Sequence, residues 1–572
     1  MADAFQVSGT SATALFTLKI HRGDGMALLA MNWKKGKPPE NFVGFAIEYK
    51  EPGGTQYFAL KNRITFPGPD GKVDPNKMST MLSPIQKFRW VHFPRNANLD
   101  GDFLYRVTPA FMNAQNELSY GDAQLAAIEL RRETYPGKLN VAFTRGFVSS
   151  QAFVDRYVKD GPISKLIPDV AAKGLTFKPT HPDAKDAYNW MGFEAREEIL
   201  ATLDEAIKDK ADVYAIAYDL NEPEIVDRFK KIGKRLKIII DDSKDHKPPK
   251  SAESSAETLL KRTAGATNVK RQHMSHLQHN KTIVVDGKKV KKVICGSTNL
   301  SWRGFFVQNN NAMVLQGASA VKLFRSAFEN YWDNQKTFRE TPSAKLADIG
   351  IAGINARVAF SPHSDANAML ETIADDISRT SSSLLYSLAF LYESPGAVHD
   401  AIVKVTKSSK IFVYGISDKH VGGLDLLKPD GNISPVFSSA LSKNVPAPFS
   451  KEPTGGAKDG GGGTRMHHKF VVIDFDKPTA RVYFGSYNFS NPADLKNGEN
   501  LLVVRDRRVA VSYMIEALRI FDHYHFRVAQ QEAKTARKKL QLAPPPRKKG
   551  EKPWWSEDYS DKRKIRDREL FA

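Results

Sequence analysis

One pattern occurs twice in this chain. His279-Asn280-Lys281, four residues and Asp286 are followed by Gly296-Ser297-Thr298-Asn299. His467-His468-Lys469, four residues and Asp474 are followed by Gly485-Ser486-Tyr487-Asn488. Composition alone yields a His-x-Lys-x4-Asp match at on the order of 10⁻⁴ per position, so one copy would carry little weight. Two copies with the same sequel, at equivalent places in a repeated order of elements, demand a duplicated architecture.

The surrounding order repeats too. Val141–Thr144 answers Val358–Ser361, and the amphipathic segment Phe193–Lys208 answers Ala366–Arg379. The apolar runs Asp212–Tyr218 and Leu384–Phe390 are each followed by a helical pattern, Glu224–Ile232 and Ala397–Val405. Each half then reaches a further strand, Leu236–Asp241 and Lys410–Gly415. Strands alternating with helices predict parallel sheets covered by helices. Polar stretches without an evident element follow, at 242–272 and 439–465. The glycine run Gly460–Gly463 lacks the Gly-Lys-Ser/Thr of a nucleotide-binding loop, which leaves a lid or a plain linker.

Before residue 136 the pattern is different. Short β-prone runs (Leu15–Ile20, Phe42–Tyr49, Tyr57–Leu60, Phe88–Phe93, Phe103–Pro109, Ala123–Leu130) alternate with turn signals such as Pro52-Gly53-Gly54. They predict a β-sandwich. The run Asp102–Thr108 resembles the tyrosine-corner strand of immunoglobulin-like and fibronectin type III domains. The resemblance implies that Tyr105 turns inward and bonds backbone; the alternative is an ordinary strand aromatic.

The chain's 572 residues carry a net charge of +20, with 84 Lys and Arg against 64 Asp and Glu. That balance favours polyanionic partners, whether nucleic acid, an anionic membrane or phosphate-bearing substrates, and does not choose among them. Residues 534–572 hold 13 basic and 6 acidic residues, a basic tail open equally to free solvation, with non-specific phosphate binding, and to docking through Trp554-Trp555 and Leu570-Phe571. No apolar run reaches eighteen residues and no secretory pattern opens the chain. The expected location is therefore cytoplasmic, with peripheral membrane attachment as a second expectation. The single cysteine, Cys295, rules out an internal disulfide or a cysteine-based zinc site and reads as a small buried side chain.

Strand alternation places the first and third residues of His-x-Lys on one face, so an imidazole and an ammonium project together. Glycine permits close backbone approach, and the Ser and Asn that follow add hydrogen-bonding groups. Two such halves supply two imidazoles, two ammoniums and a set of polar donors. Phosphodiester cleavage needs that combination: a nucleophile, an acid for the leaving group and charge stabilisation.

These paired motifs resemble those of the phospholipase D superfamily, over about residues 136–530. The resemblance implies two homologous α/β/α lobes of phospholipase D type (136–345 and 346–533); with the β-sandwich (1–135) and the basic tail (534–572) read above, the expected fold is multidomain. It implies that His279 attacks phosphorus and forms a phosphohistidine, and that His467 acts as acid and base. Lys281, Lys469, Asp286 and Asp474 complete the catalytic set, with Ser297, Asn299, Ser486 and Asn488 on the phosphate. It implies no cofactor and no metal. Glu499 stands where the family often has a supporting acid, whereas the first copy has Asn310 there. Losing that charge makes one imidazole less basic than the other, so the order of roles stays open.

Expected substrates are phospholipid head groups, with hydrolysis or head-group exchange; a non-specific DNA or RNA nuclease is the alternative. A binding protein with a decayed site is disfavoured by intact residues in both copies. The β domain is expected to bind an unidentified partner. Histidines 273, 276 and 468 are expected to be structural, and Trp302 and Arg303 to contact substrate or to pack.

Overall fold

The computed structural model describes residues 4–68, 74–94, 96–130, 133–146, 157, 160–168, 170–391, 394–408, 410–417, 436–437, 466–537 and 540–572. The chain is a multidomain α/β protein with a sheet-rich N-terminal region. Internal contacts divide it into two units, one joining residues 1–132 to 511–572 and the other centred on 133–426 and 435–510.

In the first unit, Gln6–Ser8, Phe16–Arg22, Ala27–Trp33 and Arg89–His92 form an antiparallel sheet in that order. A second antiparallel sheet runs Phe58–Ala59, Phe42–Lys50, Asp102–Met112 and Leu118–Tyr120, with Gln124–Glu129 also on Asp102–Met112. Alternation drives both: Phe16, Leu18 and Ile20 from one sheet and Phe103, Tyr105 and Val107 from the other enter one shared core. Tyr105 is fully buried, but its hydroxyl pairs with His92 Nδ1 at 3.0 Å and not with backbone. The strand Ala27–Trp33 has no alternating pattern because nearly all its residues are buried, so its sequence carries no period-2 signature.

The basic C-terminal segment is folded into this unit. Trp555 joins the core, Phe571 is fully buried, and Trp554 Nε1 donates to Phe42 O at 3.0 Å. Arg89 bridges Asp522 at 2.6 Å and Asp567 at 2.8 Å.

The second unit holds two large sheets. The first has strand order Leu139–Phe143, Asn311–Gln316, Lys291–Gly296, Lys281–Asp286, Asp212–Ala217, Leu236–Ile240 and Val269–Arg271. The second runs Ala347–Asp348, Asn355–Ser361, Glu499–Arg505, Arg481–Gly485, Lys469–Ile473, Ser383–Leu388, Phe412–Ser417 and Val436–Phe437. Both are mixed sheets, which corrects the expectation of parallel ones. Only the last two pairings in each are parallel. Each motif strand turns straight back into its neighbour, Lys281–Asp286 into Lys291–Gly296 and Lys469–Ile473 into Arg481–Gly485. A short turn can join only antiparallel strands.

The stretch 242–272 is also not structureless. It contains the helix Ala252–Ala264, opened by a cap from Ser251 Oγ to the Ser254 amide at 3.1 Å. Ala252, Ala256, Leu260 and Ala264 recur every fourth residue and are all buried. Its counterpart, 439–465, lies outside the described residues. Among the described residues no helix is long and apolar enough to cross a membrane.

Candidate active site

The two motif histidines come from segments 188 positions apart and meet: the ring centroids of His279 and His467 are 6.3 Å apart. Each sits just ahead of its motif strand, and each approach is pinned by backbone of the other copy. The His467 amide donates to Asn309 O at 3.1 Å, and the Gly498 amide to Leu277 O at 2.8 Å. Both imidazoles are about 4% exposed.

The supporting groups cross over. Glu499, from the second sheet, takes His279 Nδ1 at 2.8 Å. Asn310, from the first, takes His467 Nδ1 at 2.7 Å. A carboxylate and a carboxamide oxygen can only accept, so in the neutral rings Nδ1 carries the proton and Nε2 keeps its lone pair. The carboxamide orientation is set by its other bonds: Asn310 Nδ2 donates to Gly304 O at 2.9 Å, and Ser297 Oγ donates to Asn310 Oδ1 at 3.0 Å. Glu499 is held by Asn497 Nδ2 at 3.1 Å and by Ser486.

Ser297 and Ser486 therefore serve to hold Asn310 and Glu499, and both are fully buried. The glycines before them do allow close approach: a Cβ on Gly296 would stand 2.5 Å from Asn311 O, and one on Gly485 2.1 Å from Asn500 O.

Lys281 Nζ donates to His279 O, and Lys469 Nζ donates to His467 O at 2.9 Å, so each ammonium lies beside its own imidazole. Asn299 donates through Nδ2 to Asp219 Oδ2 at 2.7 Å, while its Oδ1 and that of Asn488 have no partner among the described residues.

Asp286 and Asp474 are not at the site. Asp286 ends its strand and Asp474 directly follows its own, each five residues from the motif lysine, or roughly 16 Å at strand rise. Asp286 pairs with Lys291 and with Arg325 at 3.0 Å. Asp474 accepts the amides of Ser381, Ser382 and Ser383 at 3.0, 2.7 and 3.2 Å. Strand geometry is the reason: five steps carry the chain away from the strand end that bears the histidine.

Burial pulls the His279 imidazolium below its ordinary range, and the Glu499 carboxylate pulls it back up. His467 is buried equally and has no carboxylate partner; Lys469, Lys281, His279 and Arg303 all push it further down, well below the ordinary value. Burial takes Lys281 down to about 8, opposed by Glu499, Asp219 and Asp241. Lys469 falls well below its ordinary value, through burial and the nearby Lys281 charge. The Glu499 carboxyl, despite burial, lies below its usual range because His279 and Lys281 face it.

Of the flanking residues, Trp302 packs: its Nε1 donates to Gly174 O at 3.0 Å and its ring meets Phe177, Tyr188 and Phe306. His273 and His276 are exposed, and His468 is buried against Phe143 and Phe470. Cys295 is buried. Sequence reasoning missed Asp219, Asp241 and His246. They lie beyond the ends of ordinary core strands and outside the paired motifs, so no pattern marked them. Asp219, His246 and Glu253 each offer an atom within 4.8 Å of the others, which makes them a group able to hold a cation among the described residues.

A family model described as the cardiolipin synthase, PLD-like domain, matches residues 199–332 and 374–521. The chain belongs to the phospholipase D superfamily. A protein named phospholipase D from Rickettsia felis is 42% identical over 48 residues, which are 8% of this chain and 22% of that protein. Its namesake from Rickettsia prowazekii matches to the same extent. The chain thus spans about a fifth of the length of these curated relatives.

Among solved structures, phosphatidylserine synthase of Haemophilus influenzae is 12% identical, covering 59% of this chain and 91% of its own, with a TM-score of 0.40. The phospholipase D family member Nuc of Salmonella typhimurium is 24% identical, covering 25% of this chain and 88% of its own, with a TM-score of 0.21.

Proposed function

We propose that this chain is a phosphodiesterase that cleaves phospholipid head groups, passing the phosphatidyl group through His279 to water or to a second alcohol. The observation that carries this reading is the 6.3 Å approach of the two motif rings, each with Nδ1 engaged. His279 Nε2 attacks phosphorus; a P–N bond forms as the P–O bond to the leaving alcohol breaks. His467, entering the step as the imidazolium, gives that oxygen the proton on its Nε2. His467 then takes a proton from water or an acceptor alcohol, whose oxygen displaces His279 from phosphorus. Lys281 and Lys469 neutralise the non-bridging oxygens.

Charge supports the order of roles. A phosphorylated imidazole that keeps Nδ1–H is cationic, and the Glu499 carboxylate stabilises it. His467, held by a neutral amide, is the weaker base and the better proton donor. The names of the family model and of the curated relatives support a lipid substrate and leave both hydrolysis and transfer open. The net charge of +20 favours the second reading, a nuclease.

In the same reading the two large sheets are the homologous lobes, 136–345 and 346–533. The two antiparallel sheets around one core support a sandwich of immunoglobulin or fibronectin type III kind for 1–135. The Tyr105–His92 bond departs from the usual tyrosine corner.

The test is to incubate the purified protein in EDTA with a choline phospholipid, with phosphatidylglycerol, and with single-stranded and plasmid DNA, beside His467→Asn. Head-group release or exchange, lost in the variant, is expected. DNA cleavage without lipid turnover would favour the second reading, and activity unchanged by the substitution would remove the site.

A further inference from the structure

Where the two large sheets meet, each motif runs beside a segment of the other copy in one continuous register. Gln278 bridges to Gly498 through backbone, in parallel. One residue on, His279 Nδ1 meets Glu499 at 2.8 Å. One residue further, Asn500 Nδ2 donates to Asn280 Oδ1 at 2.7 Å. The second motif repeats the arrangement. Met466 bridges to Asn309, His467 Nδ1 meets Asn310 at 2.7 Å, and Asn311 Nδ2 donates to His468 Nδ1 at 3.5 Å. The pairs keep a constant offset, 220 residues in the first crossing and 157 in the second. Each crossing has a backbone rung, a rung that holds the reactive imidazole, and a rung beyond it.

Alternation gives the last rung its meaning. Successive side chains point to opposite faces, so a slip of one residue would turn Glu499 away from His279 and bring Asn500 towards it. The main chain contributes one isolated bridge to each crossing. The choice between registers therefore falls to the side chains.

Asn280 and Asn500 are fully buried. Their orientation is fixed by backbone. Asn280 Oδ1 also accepts the Lys281 amide at 2.9 Å, so it presents an oxygen to Asn500 and takes Nδ2 from it. Ser486 Oγ accepts both the Asn500 amide at 2.9 Å and Asn500 Nδ2 at 3.1 Å, which ties the same residue to the second motif. Asn500 Oδ1 has no partner among the described residues. Two buried carboxamides gain little stability over apolar side chains of similar shape, because desolvation offsets their bond. What a lone polar pair supplies in an apolar interface is a choice of register.

We propose that Asn280 and Asn500 are positioning residues: their pairing fixes the register in which Glu499 faces His279, and so aims the His279 ring at the substrate phosphorus. This rests on the phosphodiesterase reading and adds to it two residues that act through their neighbours in the chain.

The test compares the full-length wild type with Asn280→Leu, Asn500→Leu and the double variant, in which apolar side chains branched like asparagine replace both amides. Three quantities are read. They are the urea midpoint, kcat and KM on a p-nitrophenyl phosphodiester, and the far-downfield proton resonance of His279 Nδ1–H, assigned by its absence in His279→Asn. The leaving group of that substrate needs no proton, so its rate reads the attack by His279.

Each single variant leaves one buried amide unpaired and should lower the midpoint. The double variant should recover the midpoint, yet keep kcat about 10–100-fold below wild type with KM little changed. Its His279 resonance should be lost or move upfield. A double variant with the wild-type resonance and the wild-type kcat per folded molecule would overturn the proposal. Should the leucines prevent folding, Asn500→Ser, which adds no volume and is too short to reach Asn280, takes their place with the same expectations for rate and resonance. A wild type that shows the resonance, loses it in the variant and yet turns over no phosphodiester would reject the proposed activity and leave the register assignment standing.

Discussion

Glu499 accepts the Nδ1 proton of His279 with its two oxygens at 3.0 and 2.8 Å, although 220 residues and a change of sheet separate them. The matching position beside His467 holds Asn310, so one imidazole faces a charge and the other a dipole.

Replacing Glu499 by Gln removes the group that holds up the basicity of His279. The ring then gives up its proton at a lower pH. The acidic limb of kcat/KM, which reports the need for a neutral nucleophile, should shift to lower pH. The cationic phosphohistidine also loses its counter-charge, so kcat should fall about 10–100-fold. A pH–rate series on wild type and variant reads both effects.

The order of roles is visible in the intermediate. With a p-nitrophenyl phosphodiester, whose leaving group needs no proton, His467→Asn should still form the P–N bond and then stall. Mass spectrometry should find an acid-labile adduct on His279. An adduct on His467 in the reciprocal His279→Asn protein, with none in His467→Asn, would reverse the assignment.

Asp474 and Asp286 should affect stability and not chemistry. Asp474→Ala strips the acceptor from three backbone amides and should destabilise the protein by about 1–3 kcal/mol. Asp286 is partly exposed and its ion pairs are screened, so Asp286→Ala should cost about 0–1 kcal/mol. Thermal unfolding gives the losses, and kcat per folded molecule should be unchanged in both.

The first unit should lose stability in acid through His92. Burial holds the folded ring's pKa down to about 3, against an ordinary 6.5. The unfolded chain therefore binds a proton that the folded one refuses, and stability should decline as pH falls from 6.5 towards 3. His92→Gln, which still offers Tyr105 a polar partner, should flatten that decline in urea titrations at stepped pH.

Phe571 lies fully buried near the end of a strongly basic segment. Phe571→Ala should cost about 3–5 kcal/mol, the range for emptying a large core site. A free tail would show no change in the urea midpoint.

Much of this was written locally. His279, Lys281, His467 and Lys469 were legible because a duplicated spacing rarely arises by accident, and the alternating runs Phe16–Ile20 and Phe103–Val107 declared their inner faces. The helix Ala252–Ala264 and the strand Ala27–Trp33 were missed. The helix is marked only by small residues such as Ala252 and Ala256, and the strand has no exposed face to create a period.

The sequence by itself determined that two like halves exist, and which residues carry the reactive nitrogens and ammoniums, because those depend on residue type and strand period. Only the tertiary structure decided which groups those side chains face. It gave Glu499 to His279, Asn310 to His467, and Asp219 and His246 to the Lys281 side, and it carried Asp286 and Asp474 away. Hydrogen bonds act over about 3 Å, and no local pattern records which distant segment will come that close.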